Sequence, residues 1–197
     1  MPVKADVHDQ KCRRRPSAEA RRHLSIDVFI NAQMLAGMEY GTSDVAAYLL
    51  HRRLVKPIKV VLLTFLAQYD VDGSAVCEYR YGGRPLARAE FYIWAHGPVS
   101  DEVRDALDAL DPDLVSTEFG PVMTWPGPLP NLPKPVAARL DEVAAEYGGW
   151  KPWQLERHVK KMLGLDIPEK MSDYMGWPLR NYLRAEGYAL AYRDLTP

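Results

Sequence analysis

Between Leu54 and Gly73 the chain reads LVKPIKVVLLTFLAQYDVDG, and this stretch restricts the fold more than any other. Ile58, Val61, Leu62, Phe65 and Leu66 cover one side of a helix, while Val60, Leu63 and Ala67 fill most of the rest. A helix apolar nearly all round belongs at the centre of a core. Pro57 suits its first turn, where the missing N–H costs nothing. The β-branched residues leave a buried strand as the alternative. Leu62, Leu63, Leu66, Ala67 and Gln68 favour helix, and helix is the expectation. The apolar run Val60–Ala67 is far too short to span a bilayer. Such a segment needs protein on every side.

The rest of the chain can supply it. A length of 197 residues suits one domain. An apolar share of 47% and a charged share of 26% are ordinary for a globular chain. Ser17 can cap a helix over 18–37, and Thr42 or Ser43 a second one running to Arg53. Phe91, Trp94 and Ala95 share one face of a short expected helix ending near His96-Gly97-Pro98. Ser100 caps the next, with Asp101 and Glu102 in its first turn and Val103, Leu107 and Leu110 as its stripe. Val136–Ala144, Trp153–Met162 and Pro178–Glu186 read as further helices, the first of them ended by Gly148-Gly149.

Strand signals are fewer. Val76, Glu78 and Arg80 alternate with Cys77, Tyr79 and Tyr81, Gly82-Gly83 suits a tight turn, and Leu86–Ala89 would return. Asp72-Gly73 marks a turn before that run, and Tyr188–Tyr192 reads as an edge strand. Six prolines in Gly120–Pro135 rule out a central strand there. The expected fold is mainly α: a single compact helical domain over 24–197 with one small antiparallel β-hairpin, behind a basic N-terminal extension over 1–23.

Charge and cysteine usage narrow the setting. Twenty-five Lys and Arg against 26 Asp and Glu argue against wholesale wrapping by nucleic acid, which needs a basic excess. The first 23 residues nonetheless hold seven basic residues against three acids. Two cysteines, Cys12 and Cys77, make no disulfide framework. The N-terminal charges have no apolar stretch behind them, unlike a signal peptide. A cytoplasmic setting is expected.

Catalytic and metal signals are weak. His8, His23, His51, His96 and His158 form no short ligand motif, and no CxxC or HExxH occurs, so neither metal nor cofactor is expected. Tyr81–Pro85 lacks the lysine and following helix of a phosphate loop. Asp101–Glu118 carry seven acids against Arg104 alone, which reads as a solvated face. Cys77 reads as a small buried hydrophobe. An enzyme is not expected. The remaining catalytic option is a small hydrolase or transferase using His96 with Glu90 or Asp101, and it lacks a nucleophile.

Contact material is richer. Trp125, Trp150, Trp153 and Trp177 lie among prolines in the last part of the chain, and indoles dominate binding hot spots as readily as they seal cores. Trp125, Trp150 and Trp153 are the expected partner-binding residues. The alternative is a nucleic-acid-associated regulator using Arg13, Arg14, Arg15, Arg52, Arg53, Lys56 and Lys59, since His51–Thr64 hold four basic residues and no acid.

Two blocks resemble a known family. Asp44-Val-Ala-Ala-Tyr48-Leu-Leu50 followed by Leu54–Gln68 resembles the opening of the Panacea domain, the SocA-like domain associated with antitoxins. Arg84-Pro85-Leu86 through Glu90, Trp94 and His96-Gly97-Pro98-Val99 resembles its second block, with His96 where the family usually carries an aromatic. Gln154–His158 is similar to a later leucine-to-histidine segment, so the likeness spans about 44–158. The resemblance implies a non-enzymatic module that neutralises or chaperones a partner protein, a toxin in the family's usual case. Trp94, Gly97, Pro98 and Val99 would be structural, with Trp94 packed on the Val60–Ala67 helix. A second copy of the chain and nucleic acid are the secondary partners, and no membrane is expected.

Overall fold

The computed structural model describes residues 40–52, 56–118 and 120–196. The chain falls into two units, Met1–Glu39 and Tyr40–Pro197, and the described residues belong to the second. The basic extension and the helix expected over 18–37 lie outside them.

Helix α1 (Thr42–Arg52) leads to α2 (Pro57–Gln68), in which every residue from Lys59 to Gln68 is buried. Pro57 stands at its start, as its fixed φ favours. The helix passes straight into strand β1 (Tyr69–Asp72), which turns at Gly73 into β2 (Ala75–Tyr81). A second turn, through Gly82 and Gly83 at positive φ, brings back β3 (Arg84–Pro85). A hairpin of β4 (Tyr92–Trp94) and β5 (Gly97–Val99) precedes α3 (Asp101–Leu110). Next come an exposed ribbon, β6 (Asp113–Thr117) with β7 (Gly120–Thr124), then α4 (Lys134–Tyr147) and α5 (Pro152–Met162). Short helices α6 (Pro168–Asp173) and α7 (Leu179–Ala185) lead to β8 (Ala189–Asp194).

Of the described residues 46% are helical and 24% strand, in three separate sheets. The fold is therefore α+β, and the mainly α expectation with one small hairpin is corrected. The main sheet has β2 at its centre, with β1 and β3 antiparallel along one side and β8 parallel along the other, Ala75 opposite Ala189 and Arg80 opposite Asp194. The 86–89 segment expected as a return strand is a loop, because Arg84–Pro85 already completes that pairing. The helix expected over 91–95 is strand β4, whose backbone bonds run to β5 and to residues 176 and 177. Helices α1, α2, α3, α4 and α5 match the sequence expectation, as does the edge position of β8.

Long-range polar contacts lock α2 in place. Arg139 of α4 donates from Nη2 to the Leu66 carbonyl at 3.0 Å and from Nε to that of Ala67 at 3.3 Å. These are end-of-helix carbonyls that have no partner within α2. The same guanidinium lies 4.2 Å from the centre of the Tyr79 ring and pairs with Glu142 at 2.8 Å. Lys59, buried at the other end of α2, donates from Nζ to the Gly148 carbonyl in the α4–α5 turn at 2.6 Å. Among the described residues no helix is long and apolar enough to cross a membrane.

Candidate functional site

The β4–β5 hairpin rests on the central helix. Gly97 adopts φ +105°, and a Cβ there would lie 3.7 Å from Leu62 Cδ2 and 4.0 Å from Val159 Cγ1. Strand alternation then sorts the side chains: Ile93 points down and is fully buried, while Tyr92 is half-buried and Trp94 is 49% exposed. The short helix that Trp94 was expected to pack onto α2 is a strand instead, and it buries Ile93 while Trp94 stays 49% exposed. Residues 176–179 run beside β4 like a further strand. Gly176 donates to the Ile93 carbonyl at 2.8 Å, Ile93 to that of Trp177 at 2.9 Å, and Leu179 to that of Phe91 at 2.8 Å.

The border of β4, with Trp94 on the strand and Trp177 (42% exposed) and Met175 (43%) on the segment joined to it in the register Tyr92 opposite Pro178, forms an aromatic platform. Tyr174 holds Trp177 edge-on, ring centres 5.1 Å apart. A groove of about 300 Å³ runs past Tyr92, Trp94, Val99 and Gly176, with Asp101 and Arg104 at its margin, 3.6 Å apart. Ser100 fixes that margin by capping α3, accepting from Val103 N at 3.3 Å. At the hairpin turn, His96 Nδ1 lies 3.1 Å from Glu156 Oε2 on α5, and Lys160 holds the other oxygen of Glu156 at 2.7 Å. One turn earlier on α5, Trp153 is 58% exposed.

The residues singled out in the sequence have divided fates. Trp153 is exposed beside the His96–Glu156 contact. Trp150 is half-buried in a three-ring cluster, 5.3 Å from Tyr147 and 5.2 Å from His158 between ring centres. Trp125 is half-buried against its own loop: Nε1 donates to the Pro128 carbonyl at 3.4 Å, and a Cβ on Gly127 would fall 2.2 Å from the indole. His96 meets Glu156 rather than Glu90 or Asp101, and Glu90 is exposed. Lys59 is buried and Lys56 half-buried, so Lys59 presents no ammonium to a phosphate. Arg13, Arg14, Arg15 and Arg53, the Arg52 side chain and Cys12 lie outside the described residues.

Cys77, expected to be buried, is half-buried; burial, with Asp70 nearby, pushes its thiol up, away from the thiolate form. Among the described residues no group of three His, Cys, Asp or Glu could hold a metal ion. Trp94 was expected to be structural, and Trp177, though among the tryptophans weighed as contact material, was not among the expected partner-binding residues. Reading Tyr92-Ile93-Trp94 with period two would have turned Trp94 outward, but nothing local joins it to Trp177.

Compared with known proteins, the chain matches no protein-family model, no curated protein and no solved structure.

Proposed function

We propose that this chain is a protein-interaction module, without catalysis of its own. Within that class we read it as Panacea-like: it neutralises or chaperones a partner protein, a toxin in the usual case of the family it resembles. Support comes from the way the two resembling blocks divide their roles. Gln68, at the end of the first block, bonds the loop of the second through Ala89 O at 3.0 Å and Ala87 N at 3.1 Å. Gly97, also in the second block, seats the hairpin on α2. These residues build the framework. Trp94 lies among them and the framework leaves half of it in water.

That exposure carries the reading. An indole held on a bonded strand offers a large contact area at little ordering cost. Trp177 and Trp153 are further exposed indoles, and the Asp101–Arg104 pair borders the groove beside Trp94. The test is co-purification from nuclease-treated source lysate at moderate and high salt. The expected result is one stoichiometric small protein that arrests growth when expressed alone and is neutralised by this chain. Trp94→Ala and Trp177→Ala should abolish both capture and neutralisation. A partner bound equally well by both variants would overturn the assignment of the platform, and a neutral outcome in the growth assay would overturn the antitoxin role.

A further inference from the structure

Among the described residues, one side of strand β8 carries no neighbouring strand. Its bonds to β2 begin with Ala189 N on Ser74 O at 2.8 Å and end with Leu195 N on Arg80 O at 2.7 Å. In a parallel pair successive bonding residues alternate, so Ala191 and Arg193 also face β2. Leu190, Tyr192 and Asp194 therefore direct their backbone N–H and C=O groups away from it. Among the described residues no strand pairs on that side. Ala189 and Ala191 are too small to shield the edge, and Ala189, Ala191, Tyr192, Arg193 and Asp194 are all exposed. Edges of this kind are usually blunted by proline, a bulge or a covering loop, since they template further pairing.

A groove of about 340 Å³ lies between this edge and α7. Leu183, Tyr188 and Leu190 line it, with Arg180, Arg184 and Tyr192 beside them. Its charge is positive. Buried Glu78 receives both Arg180, at 2.7 Å, and Arg80, at 2.8 Å, so two guanidiniums share one carboxylate. Arg184 is exposed and makes no side-chain hydrogen bond or ion pair among the described residues. On the opposite face of β8, Arg193 lies 5.7 Å from the Tyr79 ring centre with no carboxylate partner among the described residues. The nearby acids are engaged: Asp194 accepts from Gly83 N at 3.2 Å, and Glu186 accepts from Lys170 and Tyr174.

We propose that the open edge of β8 binds an extended acidic segment of a partner protein, which adds to the sheet as a strand. Main-chain bonds to Leu190, Tyr192 and Asp194 hold it. Alternate side chains fall on the two faces of the sheet, one set meeting the apolar groove and Arg184, the other meeting Arg193. A second copy of β8 is the poorer occupant, because it would bring Arg184 and Arg193 against their own counterparts. This surface lies apart from the aromatic platform, and its test needs no natural partner.

The probe is a blocked, dye-labelled peptide of alternating valine and glutamate, titrated into the full chain and followed by fluorescence anisotropy and amide hydrogen exchange. Saturable binding that weakens with salt is expected, with slowed exchange at Leu190, Tyr192 and Asp194. Arg193→Glu, on the face that meets the glutamates while the valines fill the groove, should weaken it about tenfold or more. Tyr192→Pro removes one outward N–H where an edge tolerates proline, and should abolish binding with the circular dichroism spectrum unchanged; Tyr192→Ala, which keeps that N–H, should still bind. Equal binding of a valine–lysine peptide, protection elsewhere in the chain, no saturation into the millimolar range, or self-association that protects the same amides would each overturn the proposal.

Discussion

Gln68 donates from Nε2 to the Ala89 carbonyl at 3.0 Å, and its side-chain oxygen accepts from the Ala87 amide at 3.1 Å. One buried amide thus satisfies both a donor and an acceptor of a buried loop. Gln68→Leu would leave both without partners and should cost about 2 to 4 kcal/mol in urea unfolding. Loss below about 0.5 kcal/mol would mean the loop finds other partners.

Glu78 is fully buried and is held by Tyr69, Arg80 and Arg180. Desolvation works against the Arg180 guanidinium, but Glu78 beside it prevails and raises its pKa. Glu78→Gln keeps the shape and strands two guanidiniums, so a loss of about 3 kcal/mol is expected. The lower end of the range for broken buried pairs applies because Arg80 and Arg180 keep 23% and 33% of their side-chain surface in contact with water. Chemical denaturation at pH 7 measures it.

Burial, opposed by Glu146, lowers the pKa of His158. Its Nε2 is buried without a hydrogen-bond partner among the described residues, and Tyr147 and Trp150 pack around the ring. The folded state thus prefers the neutral ring. The stabilisation is complete above the unfolded value of about 6.5 and is lost as pH falls through the lower folded value. Unfolding midpoints measured from pH 7.5 down to 5 should fall more steeply for the native chain than for His158→Phe. Parallel curves would refute it.

The platform should separate surface from support. Trp94→Ala and Trp177→Ala, each removing a half-exposed indole, are expected to cost about 1 kcal/mol. Ile93→Ala, directly beneath, should cost about 2 to 5 kcal/mol. Calorimetry on the three variants decides it: a large loss from Trp94→Ala would make that indole part of the core.

Gly97→Ala tests the seat of the hairpin. The added methyl would meet Leu62 and Val159 at ordinary contact distances, so the penalty comes from φ +105° alone. About 1 to 2 kcal/mol is expected from denaturation. A much larger value would point to a steric clash that those distances do not contain.

Much of the frame was legible where a local signal and the tertiary environment agree. Pro57 and an unbroken apolar surface mark α2, and Ser100 with its two acids marks α3. Strand β1 was hidden because Tyr69–Asp72 looks like the frayed tail of α2, and only β2 makes it a strand. In FYIWA the spacing of Phe91 and Trp94 satisfies a helix as well as Tyr92-Ile93-Trp94 satisfies a strand. Backbone groups of residues 176–179, from the far end of the chain, decide between them. The same remoteness hid the groove, since no local pattern brings Gly176 to Trp94. Period and capping act over a few residues, whereas these pairings depend on the finished fold.

The parallel pairing of β2 with β8 also sets an order of events during synthesis. Strands β1, β2 and β3 leave the ribosome early, while the neighbour of β2 is made only after α7. Until then one side of β2 has no strand to bond, and before residue 180 is made Glu78 also lacks Arg180. A nascent chain halted before residue 189 therefore displays an unpaired strand, and one halted before residue 180 also leaves the Glu78 carboxylate short of a partner. Such a chain invites chaperone holding, and completing the sheet should be the late, slow step of folding.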